Sequence, residues 1–449
     1  MGLLSLGSNG IAAQNSGIAV ASNNVANANT EGYSRQRVDL EALMGTPMVG
    51  GVRSNGADRL SDALLGGRIR VANGALQMST SQSASFDDLQ SRLTDGTSLS
   101  DQLASMYASF SQASSSPTDS ISRADVIQNV QDMSANVRRK ASELAQMYDE
   151  FNSTIRDKVA QASDLAQKLA ETNLQIQKTN DPVAKDQRDK IAKELSGIVG
   201  GSAHFAADGS MRFVLDGGAV LVDGNHAAKL GTSTDPASGD TTVQVVDGNT
   251  KRDVTKDIHG GTVGSDLSVR DGTLKTARKD LDQFAFDLAG KANAIHKTSA
   301  GLDGSTGNNL FEDPGTVDGA ASRLAINSDI VDDPNKLALG AVGGGAGSNA
   351  GALSMYQLAN QKVATGGVTL GESALGVIGK VGRAAATAKS DLDRDTLVSD
   401  HLSSLQDSLA GVDIQEEMTN LTKFEHASSA MTKFTSTVDS LLSDMIEKL

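Results

Sequence analysis

A chain of 449 residues with 38% apolar and 3% aromatic residues and no Trp is too lean in core-forming side chains for a compact enzyme of that length. It suits elongated helices with thin cores, divided by length alone into roughly three domains. A formal charge of −15 opposes nucleic acid and anionic membrane surfaces as partners, and the absence of Cys excludes disulfides, thiolate chemistry and cysteine metal sites. No Lys or Arg precedes Arg35 and no long apolar core follows the start, so a cleaved signal peptide is not expected. No run approaches the roughly 18 apolar residues of a membrane span. If the chain leaves the cell, as a Cys-free composition allows, it needs another route.

In chain order, the first predicted element is a helix from Leu4 to near Asn29. Leu4, Ile11, Ile18 and Val25 recur every seventh residue and form one narrow apolar seam. Ala21 and Ala28 line it with small side chains, which permits close helix approach. Gly7, Gly10 and Gly17 each cost the helix about 1 kcal/mol relative to Ala, so it should be weak alone and ordered by a partner. Gly32 can supply the left-handed residue that ends it, and Asn23, Asn24, Asn27 and Asn29 can bond freed backbone groups. Residues Tyr33 to Pro47 read as extended.

Helical spacing then runs over about 60–93 and 98–113, up to a break at Ser114–Pro117. A long helix follows over about 120–178, carried by Val130, Met133, Val137, Leu144, Phe151, Ile155, Val159, Leu169 and Ile176. Unbroken, it would reach about 90 Å. Pro182 opens a shorter helix that ends near Leu195. Over 200–270 the pattern changes to short β-type runs (Met211, Phe213, Leu215, Val220, Val222, Val243, Val245) punctuated by DG, DGG and DGN turns. Helical spacing returns with Leu274, Leu281, Phe284, Leu288 and Ile295. Residues 300–348 read mostly as loop, and 350–364 and 372–409 as helix.

The last helix mirrors the first. Ile414, Leu421, Leu442 and Leu449 fall on one seven-residue line, and Phe424, Met431, Val438 and Met445 on a second. Ser428 and Thr435 interrupt the first line, and Asp413 with Glu416 reads as a capping box. The expected fold is therefore mainly α. Terminal helices pair as a coiled-coil-like domain (1–35 with 411–449), a long-helix bundle forms the body (36–199 with 271–410), and a small β-rich domain is inserted at 200–270. The plainer alternative makes the two terminal helices ordinary core helices of one domain.

No catalytic, cofactor or metal residues stand out. His204, His226, His259, His296, His401 and His426 lack metal-ligand spacing. Glu416 and Glu417 diverge by about 100° as helix neighbours and do not make a catalytic carboxylate pair; a favourable first-turn charge accounts for them. Gly345–Ala350 follows more Gly instead of a strand, so it is not a dinucleotide turn. Asp303–Asn309 lacks the acidic spacing of a calcium loop.

The segment SNNVANANTEGYSRQRV, Ser22 to Val38, resembles the N-terminal motif of the axial proteins of the bacterial flagellum, meaning the rod, hook and hook-associated proteins. Its ending Gly32, Tyr33, Ser34, Arg35, Gln36 is most similar to the hook-associated branch at the hook–filament junction. DQRDKIAKELSGIVG (Asp186–Gly200), NAIHKTSAGLDGSTGNNLFE (Asn293–Glu312) and GVDIQEEMTNLTKFE (Gly411–Glu425) carry the resemblance further. It implies an all-α terminal domain, a second helical domain and a variable outward domain, whose residues 203–258 should be dispensable for assembly. It also implies self-assembly into a ring or helical layer, with the hook protein and the next hook-associated junction protein as neighbours. Export would follow the flagellar type III route, with a chaperone on the C-terminal helix. A hook or distal-rod protein is the alternative within the class. Outside it stands a secreted cell-wall-acting enzyme with its catalytic insertion at 200–350, although that stretch shows no nucleophile–base set.

Overall fold

Most of the chain is helical, as the three- and four-residue apolar spacing requires. A computed structural model describes residues 2–30, 32–43, 51–206 and 208–448. Pro47 and Leu449, named above, lie outside these. The chain divides into two compact units, one formed by Met1–Met78, Lys158–Thr262 and Arg394–Leu449, the other by Ser79–Asp157 and Val263–Asp393. Among the described residues, α2 (Ala63–Thr94), α4 (Ser120–Thr179), α6 (Gly261–Ser268) and α11 (Leu370–Ala410) each contribute to both.

The first unit contains both terminal helices, α1 (Gly2–Ala26) and α12 (Ile414–Glu447), which pack on each other. Between α1 and α2 lies an antiparallel hairpin, β1 (Gln36–Leu43) and β2 (Gly51–Arg59), in register from Gln36↔Arg59 to Leu43↔Gly51 with an irregularity after Asp39. Both strands also touch α1. The strand β2 was not expected, since Gly51, Ser54, Asn55 and Gly56 are poor β formers without apolar alternation. The first helix stops at Ala26, earlier than expected, in a run of turns where the Asn27 amide donates to the Asn23 carbonyl. Gly32 does adopt a left-handed φ of 81°, but in the turn that feeds Tyr33 and not at the helix end.

The helix α5 (Pro182–Val199) starts on Asp181, whose side chain accepts from the Val183 N–H, with Pro182 in the first turn where no donor is lost. Gly200, at φ 68°, ends it. Two small antiparallel sheets follow. One has the order β3 (Ser202–Phe205), β4 (Met211–Val214), β5 (Val220–Asp223), β6 (His226–Ala227); the other is β7 (Lys229–Thr234), β8 (Thr241–Asp247), β9 (Thr250–Asp253). The first sheet is tied to α4 through Asn173, which donates to the carbonyls of Met211 and Gly224 and accepts from the Met211 N–H. The β region is shorter than expected. From Gly261 the chain is already helical, as α6 (Gly261–Ser268) and a wide turn over Val269–Leu274 that runs into α7 (Lys275–Lys297).

The second unit holds the largest apolar core. Helix α3 (Leu99–Ser115), capped by Ser98 at the Asp101 N–H, contributes Leu103, Met106 and Phe110; α4 adds Val130, Met133, Val137 and Leu144. Leu281, Phe284 and Leu288 of α7 complete the centre with Met355 of α10 (Ala350–Gln357) and Val377 and Val381 of α11. Short pieces carry the connecting loops: β10 (Ser299–Ala300) pairs with β11 (Gly340–Ala341), and α8 (Ala320–Arg323) and α9 (Ser328–Asp332) are single turns. His296, fully buried, bonds the Asn308 carbonyl through Nδ1 and accepts the Ala338 N–H at Nε2, and burial pushes its pKa down.

Candidate assembly interface

The contact between α1 and α12 is built on the smallest residues of α1. Gly7, Gly10, Ala13, Gly17, Ala21 and Asn24 form its buried face, while Leu4, Ile11, Ile18 and Val25 lie half-buried beside it. A Cβ at Gly17 would stand 2.7 Å from the Phe424 ring; one at Gly10 would collide with the Met431 methyl, and one at Gly7 with the Thr435 hydroxyl. The glycines that weaken the helix in isolation therefore let α12 lie directly on its backbone. On α12 the second apolar line is the one in contact: Phe424 and Met431 are half-buried against these glycines and Val438 is buried. Leu421 is half-buried, whereas Ile414, Leu442 and Met445 are exposed. Thr435 and Ser428, which interrupt the apolar line, meet α1 at Gly7 and at the Asn15 side chain, 3.3 Å away.

At the end of this contact sits a polar knot made by the motif residues. Asn24 is fully buried and uses its whole hydrogen-bonding capacity. Its Nδ2 donates to the Gln36 carbonyl (2.8 Å) and to Glu417 Oε2 (3.0 Å), and its Oδ1 accepts from the Gln36 N–H (2.9 Å) and the Tyr33 hydroxyl (2.8 Å). Arg35 forks between two carboxylates of α12. Its Nε donates to Glu417 Oε1 at 2.7 Å, and Nη1 and Nη2 donate to Glu416 at 3.0 and 2.7 Å. The hydrogen bond to Glu416 holds the guanidinium's pKa up and the Glu416 carboxyl below its usual range. Burial, with the carboxylates of Asp186 and Glu417 nearby, pushes the Tyr33 hydroxyl up to about 12. The Asp413 carboxylate accepts the N–H groups of Gln415 and Glu416, while the Glu416 side chain goes to Arg35 instead of closing the capping box. Of the other motif residues, Asn27 bonds within its own turn, and Asn23 and Asn29 are exposed.

The knot extends to α5. The Ser34 N–H donates to Asp186, and Arg59 from β2 bridges Asp186 (2.9 Å) and Asp189 (2.6 Å) with its side chain nearly buried. Arg59 carries no signal in the sequence, and local spacing accounts for Glu416 and Glu417 only as first-turn charges. Arg35 lies 381 residues from Glu416 and 382 from Glu417 in the chain, beyond any local spacing. Each arginine in this knot is paired with carboxylates. Among the described residues no three His, Asp or Glu side chains gather as a metal site, and no helix is long and apolar enough to cross a membrane.

Residues 84–311, more than half of the chain, match the flagellar hook-associated protein FlgK helical domain. The chain belongs to the FlgK family. Residues 4–33 also match the flagella basal body rod protein, and these hold α1, Asn24 and Tyr33. Flagellar hook-associated protein 1 of Bacillus subtilis (strain 168) is 25% identical, over 97% of this chain and 96% of its own length. The Salmonella typhimurium (strain LT2) protein of that name is 28% identical over 67% of this chain, and the match spans only 58% of its length. In fold, the chain is similar to the flagellar hook junction protein FlgK from Burkholderia pseudomallei, with a TM-score of 0.69 at 14% identity, covering 77% of this chain and 100% of the other. Membership of the FlgK family favours the hook-associated reading over a hook or distal-rod protein.

Proposed function

We propose that the chain is a non-enzymatic adaptor at the junction of hook and filament, assembling through its paired terminal helices. One observation carries this reading. Within the single chain, α12 buries only Glu417 and Val438 of its 34 residues and leaves Leu441, Leu442, Met445 and Ile446 at its end 58%, 36%, 62% and 74% exposed. Apolar side chains left in a row on a terminal helix call for a covering surface. Copies of the chain supply that surface in a ring or helical layer, with the hook protein on one side and the next hook-associated protein on the other. Before assembly, an export chaperone of the type III route covers the same helix. The terminal helices act as the assembly domain, and the β region, residues 202–253, faces outward.

The test is complementation of a strain lacking the chain with Met445→Asp or Ile446→Asp. Both residues are exposed, so the purified variants should melt like the wild type. Cells should make hooks, release filament protein into the medium and fail to swim. Mutant protein must be found outside the cell, so that lost chaperone binding is not mistaken for lost assembly. Normal filaments on an exported variant would overturn the reading, and release of peptidoglycan fragments by purified protein would favour the enzyme alternative.

A further inference from the structure

Three Asn–Gly pairs occur in the chain, Asn9–Gly10, Asn55–Gly56 and Asn73–Gly74, and the first two stand in the same triplet, Ser-Asn-Gly. An Asn side chain followed by Gly can close on the next backbone nitrogen, because Gly has no Cβ to hinder the ring. The fold treats the three pairs differently. Asn9 lies inside α1 with Gly10 buried under Met431. Asn73 lies inside α2, where its carboxamide donates to the Lys193 carbonyl and a Cβ on Gly74 would stand 2.9 Å from the Ser196 carbonyl. A helix holds each peptide N–H in its i→i−4 bond and fixes ψ at about −42°, which keeps the carboxamide carbon off the following nitrogen. Asn55 is placed in the opposite way. The hairpin register steps from Asp39↔Gly56 to Leu40↔Ser54, so Asn55 is the extra residue of a bulge. Gly56 takes a φ of 114°, and a Cβ there would meet nothing within 4 Å. Both residues are exposed, and the Gly56 N–H donates to the Ser54 hydroxyl in a long bond of 3.3 Å. The Asn55 carboxamide is set between charges. Its Oδ1 accepts from Arg53 Nε (3.2 Å), and its Nδ2 donates to Asp39 Oδ2 (3.2 Å) and Glu41 Oε2 (3.4 Å).

We propose that Asn55 is a site of self-modification, at which the folded hairpin deamidates its own side chain. Solvent base takes the Gly56 N–H proton, that nitrogen bonds to Asn55 Cγ, and Arg53 steadies the oxyanion formed at Oδ1. The Cγ–Nδ2 bond then breaks. The nitrogen leaves as ammonia with a proton taken from water, favoured by the carboxylates of Asp39 and Glu41 beside it. Water opens the resulting succinimide at either carbonyl, leaving aspartate or isoaspartate with nothing oxidised or reduced. The product sets a third carboxylate against Asp39 and Glu41 where the carboxamide had donated to both, and isoaspartate adds a carbon to the path of the strand. Since both strands touch α1, the hairpin's hold on the first helix weakens as the molecule ages.

The experiment incubates the purified full chain at mildly alkaline pH and follows each Asn by peptide mass mapping, with isoaspartate marked by enzymatic methylation. In the folded chain Asn55 should gain one mass unit at least about tenfold faster than Asn9, because only its carboxamide can reach the next nitrogen. In urea the two identical triplets should convert at similar rates. Equal rates at Asn9 and Asn55 in the folded chain, or an Asn55 that converts only in urea, would overturn the proposal. Arg53→Gln, at an exposed position, should melt like wild type and slow Asn55 several-fold in the folded chain while leaving its rate in urea unchanged. An undiminished folded rate would overturn the part given to Arg53. Asn55→Asp, which imitates one product, should speed hydrogen exchange in β1 and β2, and unaltered exchange would refute the loosening of the hairpin.

Discussion

At the residue scale the knot concentrates its energy on one buried carboxylate. Glu417 is nearly buried, with Arg35 and Asn24 as partners, whereas Glu416 is largely exposed and screened by solvent. Arg35→Met should therefore destabilise the α1–α12 pairing by about 3 kcal/mol, since it leaves a buried charge with only an amide partner. Glu416→Gln should cost far less. Urea unfolding followed by hydrogen exchange in α12 would separate the two, and equal losses would contradict this division. Tyr33 adds an alkaline limit. The hydroxyl titrates near 10 when unfolded and about 12 when folded, so the folded state holds the proton longer. Its contribution is complete below about pH 10 and is lost as pH rises through about 12. Tyr33→Phe should lower stability at neutral pH by losing the bond to Asn24, and should flatten the decline over that window.

At the scale of elements, the glycines of α1 are contact residues, and their replacement separates helix propensity from packing. An exposed Gly→Ala change in a helix gains up to about 1 kcal/mol. At Gly17 the new methyl meets the rigid Phe424 ring at 2.7 Å, so overpacking, about 1–3 kcal/mol, outweighs that gain. At Gly10 it meets the free end of Met431, which can swing aside. Gly17→Ala should thus accelerate exchange of α12 amides in the purified chain, and Gly10→Ala should leave it unchanged or slower. In the wild type, α12 and α1 should exchange fastest among the long helices and the core segment Val126–Phe151 slowest, because α12 has so few buried apolar contacts. Strong protection at both chain ends of a verified monomer would show that they are ordinary core helices.

For the whole molecule, the β region tests how far an outward domain is separable. Its ends meet, since a Cβ on Gly200 would stand 2.8 Å from the Gly260 backbone, so removal of 203–258 with a short linker closes easily. The same sheets are fastened to α4 through Asn173 and through Ser163, whose hydroxyl accepts the Leu230 N–H, and Leu169 and Ile176 are buried on that stretch of helix. The deletion should therefore lower the melting temperature and unprotect amides over 160–179, even where export and filament attachment survive. An unchanged melting temperature would mean that α4 holds this stretch without the sheets.

By itself, the sequence determined the kind and extent of most elements and the family. Apolar spacing specified α4 almost to its last residue, Pro182 and Asp413 marked helix starts through local capping chemistry, and the motif around Tyr33 pointed to a flagellar axial protein. These features act over one or two turns and are legible without knowing what lies opposite. What lies opposite was decided by tertiary structure. Periodicity placed Leu4, Ile11, Ile18 and Val25 on one line but could not show that the neighbouring glycines would meet α12. A missing side chain is a loss for an isolated helix and a gain only when a partner occupies the space. The hairpin strand β2, Arg59, and the pairing of Arg35 with Glu416 and Glu417 were equally invisible, because charges hundreds of residues apart become neighbours only after the chain has folded.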